Sequence, residues 1–141
     1  MGATEDRHVE TLREVYRTWR ASKGENTRVW LDLLAPTIRF RSLGASAPAI
    51  GFSRNGVSPA DVQRYFADLA RDWEMIDFEV ESMVAQGDRV AVLADCSWRN
   101  RHTGKVTTSL KADFFRFENG LVAEFTELFD TANAVEAAMP A

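Results

Sequence analysis

Residues Lys111–Phe129 read KADFFRFENGLVAEFTELF, and they decide the fold. Asn119-Gly120 is the sequence signature of a two-residue hairpin turn, whose central positions need positive φ. The flanking runs alternate. Asp113, Phe115 and Phe117 fall on one face of the first strand, and Phe125, Glu127 and Phe129 on one face of the second. The same period of two runs back through Val90, Val92, Ala94, Cys96 and Trp98, and before that through Ile76, Phe78 and Val80. Turns at Gln86-Gly87-Asp88 and His102-Thr103-Gly104-Lys105 separate these runs. Four consecutive strands are expected, starting at Ile76, at about Val90, at about Val106 and at Leu121.

Upstream, the period changes to that of helices. Val9, Leu12, Tyr16 and Trp19 form one stripe, with Thr4 as the expected N-cap and Lys23-Gly24 as the stop. A second helix is expected from about Asn26 to Leu34, with Trp30, Leu33 and Leu34 on its apolar side and Pro36 ending it. Ile38 and Phe40 alternate with Thr37, Arg39 and Arg41 as a short strand. The stretch from Ser42 to Val57, SLGASAPAIGFSRNGV, has no period, and loops of this length are usually functional or mobile. Ser58-Pro59-Ala60-Asp61 opens a third helix, with Val62, Phe66, Leu69 and Trp73 as its stripe. Asp130 reads as a turn or capping residue, and the Ala-rich tail after it carries no signal. Helices first and a strand meander later give an α+β class. Three amphipathic helices are available to cover one face of a mostly antiparallel sheet.

The chain of 141 residues fits one domain spanning 1–141, and 45% hydrophobic with 27% charged residues is ordinary globular composition. A net charge of −4 leaves no basic footprint for nucleic acid or an anionic membrane. The single cysteine, Cys96, allows no intramolecular disulfide, which suits a reducing cytoplasm. The charged start MGATEDRHVE lacks a signal-peptide core, and no apolar run approaches the roughly 20 residues of a membrane span. His8 and His102 stand alone, without a cysteine cluster or paired histidines, so no metal site is expected. Gly51 to Gly56 has the glycines of a phosphate loop, but Val57 stands where the lysine is needed.

GDRVAV (87–92), KADFFRFENGLV (111–122) and EFTELFD (124–130) resemble the nuclear transport factor 2-like superfamily, with its ketosteroid isomerase-like and SnoaL-like polyketide cyclase members. The resemblance covers nearly the whole chain in element order. It implies a cone-shaped, barrel-like α+β fold around an apolar pocket, a homodimer formed through the outer sheet face, and cofactor-free proton transfer on a small hydrophobic carbonyl compound. Asp113 resembles the isomerase's oxyanion-hole aspartate, and Tyr16 its tyrosine partner. The position of the isomerase's general base resembles Phe40, a ring that takes no proton. The epoxide hydrolase branch is similar at Thr103-Gly104 and at the closing Phe129-Asp130, and Glu127 resembles the position of one of its catalytic aspartates. Its Arg-x-Asp, however, falls on Ala94-Asp95-Cys96, so that activity is excluded.

Read from the residues themselves, Asp113 is a carboxyl among aromatics, which is either an acid with a raised pKa or one end of an ion pair with Lys111 or Arg116. Glu127 is either a second pocket carboxylate, the most available base, or a rim charge. Trp19, Trp30, Phe40, Phe66, Cys96, Trp98 and Phe115 line a pocket if one exists and are packing otherwise. The leading expectation is an isomerase- or cyclase-type enzyme using Asp113, Tyr16 and Glu127. The alternative is a binding or dimerisation module that keeps the fold without the chemistry.

Overall fold

The computed structural model describes residues 2–141. Helix α1 (Ala3–Ala21) is followed by the single turn α2 (Arg28–Leu31), strand β1 (Leu34–Ser42), a short 3-10 turn (Pro48–Ile50) and helix α3 (Pro59–Asp72). Strands β2 (Trp73–Gln86), β3 (Arg89–Asn100), β4 (Val106–Glu118) and β5 (Leu121–Phe129) run on without interruption, and helix α4 (Thr131–Ala138) ends the chain. The five strands form one sheet in the order β1-β5-β4-β3-β2. All neighbours are antiparallel except β1, which lies parallel to β5. The α+β class is therefore as expected, with a cone-like curved sheet that does not close on itself. Among the described residues, no helix is long and apolar enough to cross a membrane.

Each element follows from local chemistry, with several corrections. Helix α1 starts two residues before the expected cap: Gly2 is the N-cap, and Glu5 returns its carboxylate to the Gly2 N–H at 3.1 Å. The same carboxylate accepts from Gly87 N at 3.2 Å, tying the helix to the β2–β3 turn. The helix stops where Lys23 and Gly24 take positive φ. The second helix shrinks to four residues, because β5 captures the chain early. Val122 N donates to Leu33 O at 2.8 Å, and β1 begins at Leu34 and runs through Pro36. Pro36 is tolerated because the ladder is interrupted between Leu34 and Arg39 on this edge strand.

Two other readings shift. Helix α3 buries Val62, Tyr65 and Leu69, whereas Phe66 is half-buried and Trp73 already belongs to β2. In β2, register shifts at Met75/Asp77 and Val80/Ser82 break the strict period of two. Met75 and Phe78 point into the core, and Ile76 and Val80 do not reach it fully. Bulges of this kind increase twist and bend a strand, which gives the long β2–β4 sheet its concave face.

The segment after β1 folds back as a wall. Ile50, Phe52 and Ser53 are buried, and Gly56 pairs with Phe40 through two backbone hydrogen bonds of 2.8 and 2.9 Å. The tail forms α4, capped by Asp130, whose side chain accepts from Asn133 N at 3.0 Å. Helices α1 and α3 cover the concave face, while α4 and the Pro48–Ile50 turn pack together at one end of the cone.

Gly44 sets how closely that wall seats. A Cβ there would lie 2.5 Å from Ile50 Cδ1 and 2.9 Å from Ser53 Oγ. Gly44→Ala is expected to cost about 1–3 kcal/mol by overpacking. An unchanged thermal midpoint would show that the wall has slack at this point.

Candidate active site

The concave face of β4 carries Thr107, Ser109, Lys111 and Asp113 at alternate positions. On β5, Glu127 stands directly opposite Asp113. Both carboxyls are buried, each about 1% exposed. Lys111 Nζ lies between them, donating to Asp113 Oδ1 at 2.8 Å and 3.0 Å from Glu127 Oε1.

Each carboxyl has a tyrosine as well. Tyr16 of α1 donates to Asp113 Oδ2 at 2.5 Å, and Tyr65 of α3 donates to Glu127 Oε1 at 2.9 Å. Ser42, at the end of β1, donates to Glu127 Oε2 at 2.6 Å and is also hydrogen-bonded to Ser53. Two strands and two helices therefore meet in one chain of hydrogen bonds and an ion pair: Tyr16, Asp113, Lys111, Glu127 and Tyr65. Both oxygens of each carboxyl accept from a donor, and since a carboxylate has about four lone-pair sites, Asp113 keeps room for a further donor or proton.

The electrostatics follow from burial. Burial raises the Asp113 pKa above its ordinary value, against the opposing pull of Lys111 and with Glu127 adding to the rise. For Lys111, burial alone favours the neutral amine, but the two carboxylates together outweigh it and hold the ammonium above its usual range. Burial likewise pushes up Tyr16, helped by Asp113, and Tyr65, helped by Glu127. The Cys96 thiol is pushed up to about 11 by burial, so it is no nucleophile near neutrality.

Two small cavities flank this network. One, of about 70 Å³, is lined by Glu127, Cys96 and Trp98 together with Phe52, Trp73 and Thr107. The other, of about 40 Å³, is lined by Asp113, Tyr16, Trp30, Phe40 and Phe66. Lys111, Trp19, Tyr65 and Phe78 border both, so the ammonium sits at their junction. Of the expected lining residues, only Phe115 borders neither cavity. It is packed behind Tyr16, Trp30 and Phe125, where the three rings fill the space beyond Asp113. Phe40 stacks on Phe125 at 5.3 Å and meets Tyr65 in a tilted pair at 4.8 Å.

A family model for the SnoaL-like domain matches residues 12–125, most of the chain. The chain belongs to the SnoaL-like family. Among solved structures, it is similar to a nuclear transport factor 2-like protein of unknown function from Burkholderia pseudomallei. That pair is 22% identical, covers 94% of this chain and 98% of the other, and has a TM-score of 0.82. A putative SnoaL-like polyketide cyclase from Jannaschia is 18% identical over 100% of this chain and 96% of its own, with a TM-score of 0.79. TerC, co-crystallised with polyporic acid, is 16% identical over 94% and 98%, with a TM-score of 0.77. At these identities the likeness is one of fold. No curated protein sequence matches the chain.

In this SnoaL-like chain the expected trio Tyr16, Asp113 and Glu127 is brought together, and four further residues of the network are not among the expected site residues. Lys111 is two residues from Asp113 on an alternating strand, so its inward direction was available from the pattern, although it figured only as an ion-pair partner. Tyr65 was hidden because the α3 stripe was drawn through its neighbour Phe66. Ser42 and Ser53 carry no local signal, since only the folding back of the 43–56 segment joins them to Glu127.

The Asp113 shift has a measurable sign. A carboxyl whose pKa is higher folded than unfolded binds more protons when folded. Its contribution to stability therefore falls as the pH rises from about its ordinary 3.8 through the folded value. Asp113→Asn removes that cost and keeps Lys111 paired with Glu127. The variant's thermal midpoint is expected to exceed the wild type's near neutral pH, by a margin that shrinks toward pH 4. A margin independent of pH would mean that Asp113 folds without an ionisation cost.

Proposed function

We propose that this SnoaL-like chain binds a small hydrophobic carbonyl compound between its aromatic walls and moves a proton on it without a cofactor, as an isomerase or cyclase does. The observation that carries this reading is the buried Tyr16–Asp113–Lys111–Glu127–Tyr65 network between two cavities. Burying two carboxyls and an ammonium costs several kcal/mol per ion before pairing, which a purely structural core avoids with apolar side chains. The fold of a putative polyketide cyclase, and of a protein crystallised with polyporic acid, agrees with a ligand that carries ring carbons and oxygens.

In this mechanism Glu127 is the base and takes the proton from a carbon next to the carbonyl. Asp113, whose pKa burial raises, is the acid, and Tyr16 holds it in place. Phe40 is a wall and takes no part in the proton transfer. The cavities are smaller than pockets for drug-sized ligands, which are usually 300–1,000 Å³. A polycyclic ligand therefore enters only when α4 or the segment carrying Phe52 moves outward.

The competing reading is a binding module that keeps the fold without turnover, and it draws on carboxyls already held by tyrosine, serine and lysine donors and on Phe40 in the base position. Proton exchange separates the two. In D2O, wild type is expected to speed deuterium incorporation next to the carbonyl of 2-tetralone or cyclohexenone, followed by NMR. Glu127→Gln and Asp113→Asn are expected to slow it by about 10²–10⁴-fold. Binding of these ketones without exchange would favour the module.

We also propose a homodimer through the outer sheet face. There Leu93, Leu110, Phe114 and Leu128 are 36–60% exposed on three adjacent strands, with Leu93 and Leu128 both paired to Ala112. A contiguous exposed apolar patch of this kind marks an interaction surface. Phe114→Glu is expected to halve the mass measured by light scattering. A wild type that is already monomeric at high concentration would remove the proposal.

A further inference from the structure

The cation at the centre of the site has an unused bond. An ammonium has three N–H donors. Lys111 directs one to Asp113 Oδ1 at 2.8 Å and faces Glu127 Oε1 at 3.0 Å, and it makes no further hydrogen bond among the described residues. Two aromatic rings flank the ammonium, the Phe78 and Phe125 ring centres lying 5.6 and 5.7 Å away. Its side chain is 12% exposed, and it borders both cavities, while Asp113 borders only one of them and Glu127 only the other. A ligand that spans both cavities must pass Lys111.

We propose that Lys111 is a catalytic residue of this site, its third N–H binding the carbonyl oxygen of the substrate and holding that oxygen when it becomes an enolate. This rests on the reading of the pocket as a proton-transfer site, and it moves the oxyanion contact from Asp113 to Lys111. Lys111 borders both cavities and has a spare donor, whereas Asp113 borders only the smaller one.

The charge balance supports the assignment. Glu127 takes a proton from the carbon beside the carbonyl. The C–H electron pair becomes the C=C bond, and the C=O π pair moves to oxygen. One negative charge leaves the carboxylate and one arrives on the oxygen, and Lys111 borders both places. The buried ammonium thus keeps an anionic partner before and after the transfer, so it never stands unpaired in a low-dielectric interior. In the second half the C=O bond re-forms as a different carbon takes a proton from Asp113; Lys111, in contact with both carboxyls, then gives a proton to Asp113 and takes the one held by Glu127, which restores the site. No oxidant or cofactor is consumed.

The test uses 4-nitrophenol, whose visible absorbance reports its ionised form, and 4-nitrotoluene as a neutral match of similar shape. Wild type is expected to bind the phenol as the phenolate, at a pH where the free compound is mainly neutral, and more tightly than the toluene. Lys111→Met is expected to weaken phenolate binding by about 10–100-fold, the usual effect of losing a charge-assisted hydrogen bond, and to leave 4-nitrotoluene binding unchanged. If Lys111→Met does not fold, Lys111→Met combined with Glu127→Gln removes one buried carboxylate with its cation and gives the same reading. Binding of both probes with no preference for the phenolate overturns the role of Lys111 and leaves the pocket reading standing. Binding of neither probe to wild type overturns both.

Discussion

An ammonium shared by two buried carboxylates is the constraint on which the rest of this structure depends. Lys111, Asp113 and Glu127 are strand residues on β4 and β5, and cross-strand pairing alone puts the two carboxyls opposite each other. Without the cation, two like charges would face each other in an interior that solvates them poorly. With it, each carboxyl still needs donors for its second oxygen, and those come from outside the β4–β5 pair. Tyr16 comes from α1, Tyr65 from α3 and Ser42 from β1. The helices are therefore bound to the sheet by hydrogen bonds as well as by apolar contact, and the electrostatic demand fixes where their aromatic stripes sit.

The aromatic rings serve the same constraint from the other side. Trp30 meets Tyr16, Phe115 and Phe125, and Trp19 meets Trp30, Phe66 and Trp98, so the network is enclosed by edge-to-face and stacked pairs. Excluding water makes every charge interaction in the site stronger, and it is what raises the Asp113 pKa. Rings with few rotatable bonds also keep a cavity open at little entropic cost.

Much of this was legible in the sequence, because it depends on period and on turns. The strand meander, the Asn119-Gly120 hairpin, the Ser58 cap and the inward face holding Asp113 and Glu127 are local signals. The errors lie where tertiary pairing overrules local preference. Leu33-Leu34 has helical composition but joins β5, and the bulges of β2 shift which side chains face inward. The Ala-rich tail has too weak a stripe to be read alone, and it becomes a helix by packing Ala134 and Ala137 against the end of the cone. Ser42 and Ser53 join the site only through contacts that sequence spacing does not encode, whereas Tyr65 lies on the helical stripe of Val62 and Leu69.

Strand β4 carries the ionic cluster on one side and Leu110, Ala112 and Phe114 on the other. Slipping its first half by one residue would turn Leu110 and Phe114 into the core and Lys111 and Asp113 toward water, the arrangement that hydrophobicity alone prefers. Phe115 and Phe117 hold the other half in the native sense, Phe117 aligned by the tight turn at Asn119-Gly120 and Phe115 beyond the register shift at Arg116/Phe117. The strand is thus locally frustrated, since its chemistry and its greasiness ask for opposite faces. A mispaired β4 would accordingly lose the ionic cluster while burying more apolar side chain than the native strand.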